Sequence, residues 1–160
     1  MLSKELLIGE IRKYNDPYYE SFVGYPKTCQ LSSEVWPIVF STYAIDIVPQ
    51  TLGVPQGEIL ARLNILQICS NNDYDIFIEI FTRAITQFTQ MVASGMIMVF
   101  PHRLQGIPPP TPINLRPAFD AGMAGVTAKE FAEIFAEIVD TWYRTGTAVN
   151  IDTGITVFWS

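Results

Sequence analysis

Charge is scarce in this sequence. Asp, Glu, Lys and Arg make up 16% of its 160 residues, where about 25% is ordinary for a soluble domain. A small monomer has a large surface to keep wet, so such a deficit implies that part of the surface is covered by something else. Basic clusters are missing as well. The net charge is −6, which argues against a nucleic-acid backbone as partner. The single histidine, His102, rules out multi-histidine metal sites and leaves a hydrolase triad without context. No Gly-rich phosphate loop, CxxC or GxSxG occurs. The longest apolar run, MIMVF at 96–100, is far too short to span a bilayer. The N-terminus has no basic stretch leading into an apolar core, so no signal peptide is expected. These absences point to a chain made in the cytoplasm, with no cofactor or metal and no nucleic-acid or membrane partner. A peripheral membrane contact through 96–100 and the aromatic tail is a lesser alternative.

Cysteine is nearly missing too, with only Cys29 and Cys69. Two thiols are too few for a disulfide framework. Their apolar and neutral neighbours fit inert buried thiols; a single disulfide between them stays open.

What is present is helical periodicity. A first helix is expected over about 3–14, with Ser3 as N-cap and Leu6, Leu7 and Ile11 on one side. A second should start at Ser32 or Ser33 and end before Pro49, with Pro37 in its first turn, where a missing N–H costs little. It reads as central, with Asp46 an isolated acid on an apolar helix. A third, from Gly57, pairs Glu58 with Arg62 at i,i+4 and buries Ile59, Leu60, Leu63 and Leu66. SNND at 70–73 supplies caps for the longest helix, about 73–94, which Gly95 ends. Its stripe of Phe77, Ile80, Phe81, Ala84, Ile85, Phe88, Met91 and Val92 faces inward. The opposite face, with Thr82 and Thr86, is poor in charge and suits packing against another subunit.

Next come a short strand over 96–100 and the stretch PHRLQGIPPPTPINLRP. Its Pro108, Pro109 and Pro110 favour an extended conformation. An arm lying on a neighbouring subunit and a loop wrapped over the chain's own surface both fit. Pro117 then opens a helical turn, and Thr127 with Glu130 forms a capping box for a helix to about Arg144. Phe131, Ile134, Phe135, Ile138, Val139 and Trp142 form its stripe. Glu130, Glu133, Glu137 and Asp140 lie opposite as a solvated face, and Gly146 is the expected C-cap. Two β-rich runs flank Asp152-Thr153-Gly154 and read as a hairpin with a three-residue loop.

That tripeptide is also how the active-site segment of aspartic proteases begins. Such an enzyme needs paired carboxylates, and single-lobe forms need a flap and a second glycine-bearing segment downstream; six residues follow Gly154, so the turn reading wins. NNDYD at 71–75 lacks the central glycine and closing glutamate of a calcium loop, and helix capping explains it better.

The segment PAFDAGMAGVTAKEFAEIFAEIVDTWYRTGTAVNI resembles the ending of many small virion proteins of tailed bacteriophages, an Ala-rich helix followed by a short hydrophobic β tail. Ala128, Phe131, Ala132, Ile138, Trp142, Thr145, Gly146 and Val149 carry the likeness. It implies a structural role in a tail, baseplate or neck, located in the virion, with other virion proteins as partners and no catalytic residues.

The expected fold is α+β and predominantly helical, with a C-terminal β-hairpin and a Pro-rich extended connector. Residues 1–100 form the helical part, 101–117 the connector or arm, and 118–160 the helix plus hairpin, all in one compact unit. The expected function is a non-enzymatic subunit of a homo-oligomer or hetero-assembly. Thr82, Thr86, Pro108, Pro109, Pro110, Phe158 and Trp159 are its expected contacts. The alternative is a small acid–base enzyme using Asp46 or Asp152.

Overall fold

The computed structural model describes residues 1–96 and 103–160. Among these are six helices and three short strands, in the order α1 (Lys4–Asn15), α2 (Cys29–Ala44), α3 (Val54–Leu66), α4 (Tyr74–Met96), β1 (Leu104–Ile107), α5 (Arg116–Met123), α6 (Ala128–Tyr143), β2 (Thr147–Asn150) and β3 (Thr156–Phe158). The fold is α+β and mainly helical. The strand expected over 96–100 lies, from Ile97 on, outside the described residues, as does His102.

Local signals set most helix starts. Ser3 Oγ accepts from the Leu6 N–H at 3.2 Å, and Asp73 Oδ1 from the Ile76 N–H at 3.0 Å. The Thr127–Glu130 capping box is closed in both directions, at 3.1 and 2.8 Å. Each such cap contributes about 1 kcal/mol by occupying an N–H the helix leaves free.

The helix packing buries one continuous core. Trp36, Phe81, Phe119 and Phe135 stack through α2, α4, α5 and α6, with ring centroids 4.8 Å apart for Trp36–Phe81, 5.3 Å for Phe81–Phe119 and 6.1 Å for Phe119–Phe135. Phe88, Leu115, Phe135 and Trp159 belong to one cluster, so the core draws on the helical part, the connector and the C-terminal module alike. Fully burying one such side chain is worth about 1.5–3 kcal/mol.

Several expectations are corrected. Helix α2 starts at Cys29 because Thr28 caps it, its Oγ1 accepting from the Leu31 N–H at 3.1 Å. Pro37 therefore sits mid-helix, where the carbonyl of the buried Ser33 loses its helical donor. Asp46 lies past the end of α2, exposed in a turn. Cys29 and Cys69 are bonded to each other, with Cα atoms 5.4 Å apart, and both are exposed. They tie the start of α2 to the single 3₁₀ turn after α3.

The connector holds strand β1, so the hairpin is part of a three-stranded antiparallel sheet in the order β1-β2-β3. The hairpin loop has four residues, 151–154, closed by the Asn150 N–H on the Ile155 carbonyl at 2.8 Å. Gly154 takes φ +72° at its last position, as a turn there requires. Gly95 lies inside α4, and a Cβ on it would sit 2.2 Å from the Gly53 nitrogen; its role is close approach. Gly146 is no left-handed cap either. The Trp159 ring lies on it, 2.4 Å from where a Cβ would be.

Candidate interaction surface

Helix α3 turns the expected burial pattern around. Its buried positions are Val54, Gly57, Ala61, Asn64 and Ile65. Ile59 and Leu63, expected inside, are 55% and 57% exposed. The cause is the distance to α4. A Cβ on Gly53 would fall 1.7 Å from the Met91 carbonyl oxygen, and one on Gly57 2.8 Å from the Phe88 ring. Where the two helices lie closest, at Gly53 and Gly57, no larger residue fits, and this row turns Ile59 and Leu63 to the other side.

The exposed aliphatics adjoin a seam with α2. Glu34 pairs with Arg62 at 3.2 Å, and the Ser41 hydroxyl donates to Glu58 at 2.7 Å. The expected Glu58–Arg62 pair is replaced by these two ties between helices. On α2, exposed Ile38 falls between Glu34 and Ser41 on the same helical row, and exposed Ile45 continues it. Ile59 and Leu63 stand one residue round from Glu58 and Arg62 on α3. The row leads on to Val48, whose N–H and C=O pair with the C=O and N–H of Ser160 at 2.8 and 3.0 Å. Beside that pair stands Phe158, 69% exposed. The result is an aliphatic and aromatic border running from the α2–α3 seam to the open edge of the sheet.

The residues expected to make contacts are divided by the structure. Phe158 lies on this border. Trp159 does not: it is 1% exposed, its Nε1–H donates to the Thr147 carbonyl at 2.8 Å, and its ring fills the space over Gly146. It completes the chain's own core, a correction to its reading as an outward anchor. Thr82 and Thr86 are half-buried on α4. Thr86, Gln90 and Trp142 line a cleft of about 220 Å³ with Pro108–Pro112. The connector thus lies over the chain's own α4 face, held by the Trp142 Nε1–H on the Thr111 carbonyl at 2.6 Å. Pro109 is buried, Pro108 half-buried and Pro110 exposed.

The carboxylates of the enzyme alternative are apart from the clefts. Asp152 is exposed and pairs with Arg103 at 2.9 Å. The Asp46 carbonyl takes the Met1 amino group, and its carboxylate faces solvent. Neither lines the cleft under the connector or any of three further clefts among the described residues. The largest of these four, about 500 Å³, is lined by Tyr74, Phe77, Phe119, Met123 and Phe131 with the 71–73 loop.

A buried polar cluster was missed entirely. Asp140, read as solvated, is buried; it accepts from the Tyr43 hydroxyl at 2.7 Å and from Arg144 Nε at 2.8 Å. Arg144 also donates to the Leu2 carbonyl at 3.1 Å, tying α6 to the chain's start. Burial, and then the hydrogen bond to Asp140, push the Tyr43 hydroxyl far above the usual tyrosine range. Burial likewise raises Tyr143, whose hydroxyl meets Thr89 at 2.9 Å. Asp140 is met by donors on both oxygens, so the cluster acts as a structural clasp between α2, α6 and the N-terminus. Of the rest of the acidic row, Glu137 pairs with Lys4 at 2.8 Å, and no group of three metal-ligating side chains occurs among the described residues. No helix among them is long and apolar enough to cross a membrane.

Compared with family models, curated proteins and solved structures, the chain finds no match.

Proposed function

We propose that this chain is a non-enzymatic structural subunit of a larger assembly, in the finer reading a component of a tailed-phage virion, in its tail, baseplate or neck. The observation that carries the reading is the aliphatic border on the α2–α3 seam. Ile38, Ile45, Val48, Ile59 and Leu63 are all exposed on a chain with few charges to keep that surface wet. Their covering by a neighbour accounts for both facts at once. The phage reading adds the C-terminal likeness on Phe131, Ala132, Ile138 and Trp142.

Sedimentation velocity tests the assembly. The wild-type chain is expected to self-associate, or to bind a co-expressed virion protein, over an interface above about 1,000 Å². Ile59→Glu with Leu63→Glu places two charges in the border and should reduce that association at least tenfold without lowering the melting temperature. A chain that is monomeric with every such candidate partner overturns the reading. Detection of the chain by mass spectrometry in purified phage particles that encode it is the expected result for the virion reading, and its absence there removes that reading.

A further inference from the structure

The backbone of β3 has donors and acceptors to spare on one side. Asn150 N–H donates to Ile155 O, and Trp159 N–H to Gly146 O. With the register Ala148↔Val157, residues 155, 157 and 159 turn their backbone groups toward β2. Thr156, Phe158 and Ser160 then turn theirs outward, because hydrogen-bonding direction alternates along an antiparallel strand. Ser160 is already met by Val48 through two hydrogen bonds, so this edge does accept an extended chain. The pairing goes no further: Gln50, the next residue that would face this edge, exchanges no backbone hydrogen bond with Phe158. Thr156 and Phe158 remain open, and both are exposed.

We infer that β3 pairs with β3 of a second copy of this chain, antiparallel and about a two-fold axis through Val157. Three observations select a second copy. First, the two-fold register sets Thr156 against Phe158 of the other copy and Phe158 against its Thr156. All four outward groups on each strand are then used, four hydrogen bonds in total. Second, Val48 blocks the edge at Ser160, so a partner strand must turn aside there. In this register the residue arriving opposite Ser160 is Gly154 of the other copy, where its own hairpin loop bends the chain at φ +72°. Third, residues 153–160 carry no charged side chain, so two copies of a chain with net charge −6 meet where like charges are absent. Val157, partly exposed at 42%, faces its counterpart on the axis. The two three-stranded sheets join into one of six strands. This pairing shares Phe158 with the sheet-edge end of the border and needs none of its α2 and α3 side chains.

The edge can be tested with the backbone itself. Thr156→Pro removes an N–H that serves only the partner, whereas Val157→Pro removes one that serves β2. By sedimentation, Thr156→Pro should weaken dimerisation at least tenfold while the melting temperature stays that of the wild type. Val157→Pro should lower the melting temperature. Val157→Cys gives a second readout that does not depend on tolerating proline. Facing residues at such a position have Cα atoms about 4.5 Å apart, within disulfide range, and Cys29 and Cys69 are already bonded to each other. Mild oxidation should therefore convert Val157→Cys to a covalent dimer, and leave the control Thr153→Cys, in the hairpin loop, monomeric. Equal cross-linking of the two overturns the pairing, as does dimerisation unchanged in Thr156→Pro. If that dimer is instead lost in Ile59→Glu with Leu63→Glu, the assembly reading stands without the β3 contact.

Discussion

Helices α3 and α6 solve the same problem in opposite ways. Helix α6 sorts its side chains by hydropathy: Phe135, Val139 and Trp142 are inside, Glu133 and Glu137 outside. Helix α3 is oriented by its small residues, with Gly57 and Ala61 against α4 and Ile59 and Leu63 outside. The difference lies in what each packs against. Helix α6 meets large aromatic side chains and is held at their distance. Helix α3 lies directly on the backbone of α4, where Gly53 and Gly57 leave no room for a Cβ. Close approach gains dispersion contacts along two backbones, and its cost is an aliphatic face left in water. A hydrophobic residue outside is then a by-product of packing that a neighbouring subunit can use.

The comparison breaks most clearly in the core. Phe135→Ala on α6 removes a fully buried ring and should cost about 3–5 kcal/mol in chemical denaturation. On α3 the damaging change is an addition. Gly53→Ala forces a methyl group against the Met91 carbonyl and should cost about 1–3 kcal/mol or more, although it adds apolar surface. A Gly53→Ala variant as stable as wild type would mean that α3 is not held by close approach.

A smaller effect tests the clasp that joins α6 to α2. Tyr43 and Tyr143 are both held neutral above the usual tyrosine range. An unfolded tyrosine ionises near pH 10. The folded state therefore keeps its protons while the unfolded state loses them, and stability falls as pH rises above about 10, being complete below it. Each tyrosine contributes up to about 1.4 kcal/mol per pH unit to that decline. Tyr43→Phe should make the fall in melting temperature between pH 9 and pH 11 shallower. An unchanged slope would show that Tyr43 is not held neutral by the fold.

The two helices also differ in how much of them the sequence disclosed. The capping box and the aromatic stripe of α6 are local, so its start and its inward face were legible. Asp140 was not: its spacing from Glu133 and Glu137 marks it as solvated, and only the arrival of Tyr43 from α2 makes it a buried acceptor. Periodicity failed on α3 because it ranks residues by hydropathy. The signal that decides its orientation is the row Gly53, Gly57 and Ala61 at i,i+4,i+8. Strand β1 was hidden among prolines because its pairing with β2 joins residues some 40 positions apart, Ile107 with Thr147. The disulfide was equally a matter of tertiary distance. Of the expected contact residues, Phe158 is exposed and Trp159 is buried. The two are adjacent on a strand and point to opposite faces, and sequence alone does not say which face has a core beneath it.

The smallest expected effect sharpens the comparison most, because it stays within α3. Ile65 and Ile59 have the same side chain on the same helix, one at 0% exposure and one at 55%. Ile65→Ala should cost about 2–5 kcal/mol through lost transfer energy and the cavity left behind. Ile59→Ala removes side-chain atoms that mostly touch water, and alanine regains a few tenths of a kcal/mol in helix propensity. Its effect on monomer stability should therefore stay within about 0.5 kcal/mol. Urea denaturation of both variants, at concentrations where the chain is monomeric, measures the difference. A cost at Ile59 approaching that at Ile65 would mean that the exposed face is covered within the monomer, and the α2–α3 border would lose its claim to be a contact surface. A near-zero cost at Ile59, combined with weaker self-association of the same variant, would place the contribution of that side chain between subunits.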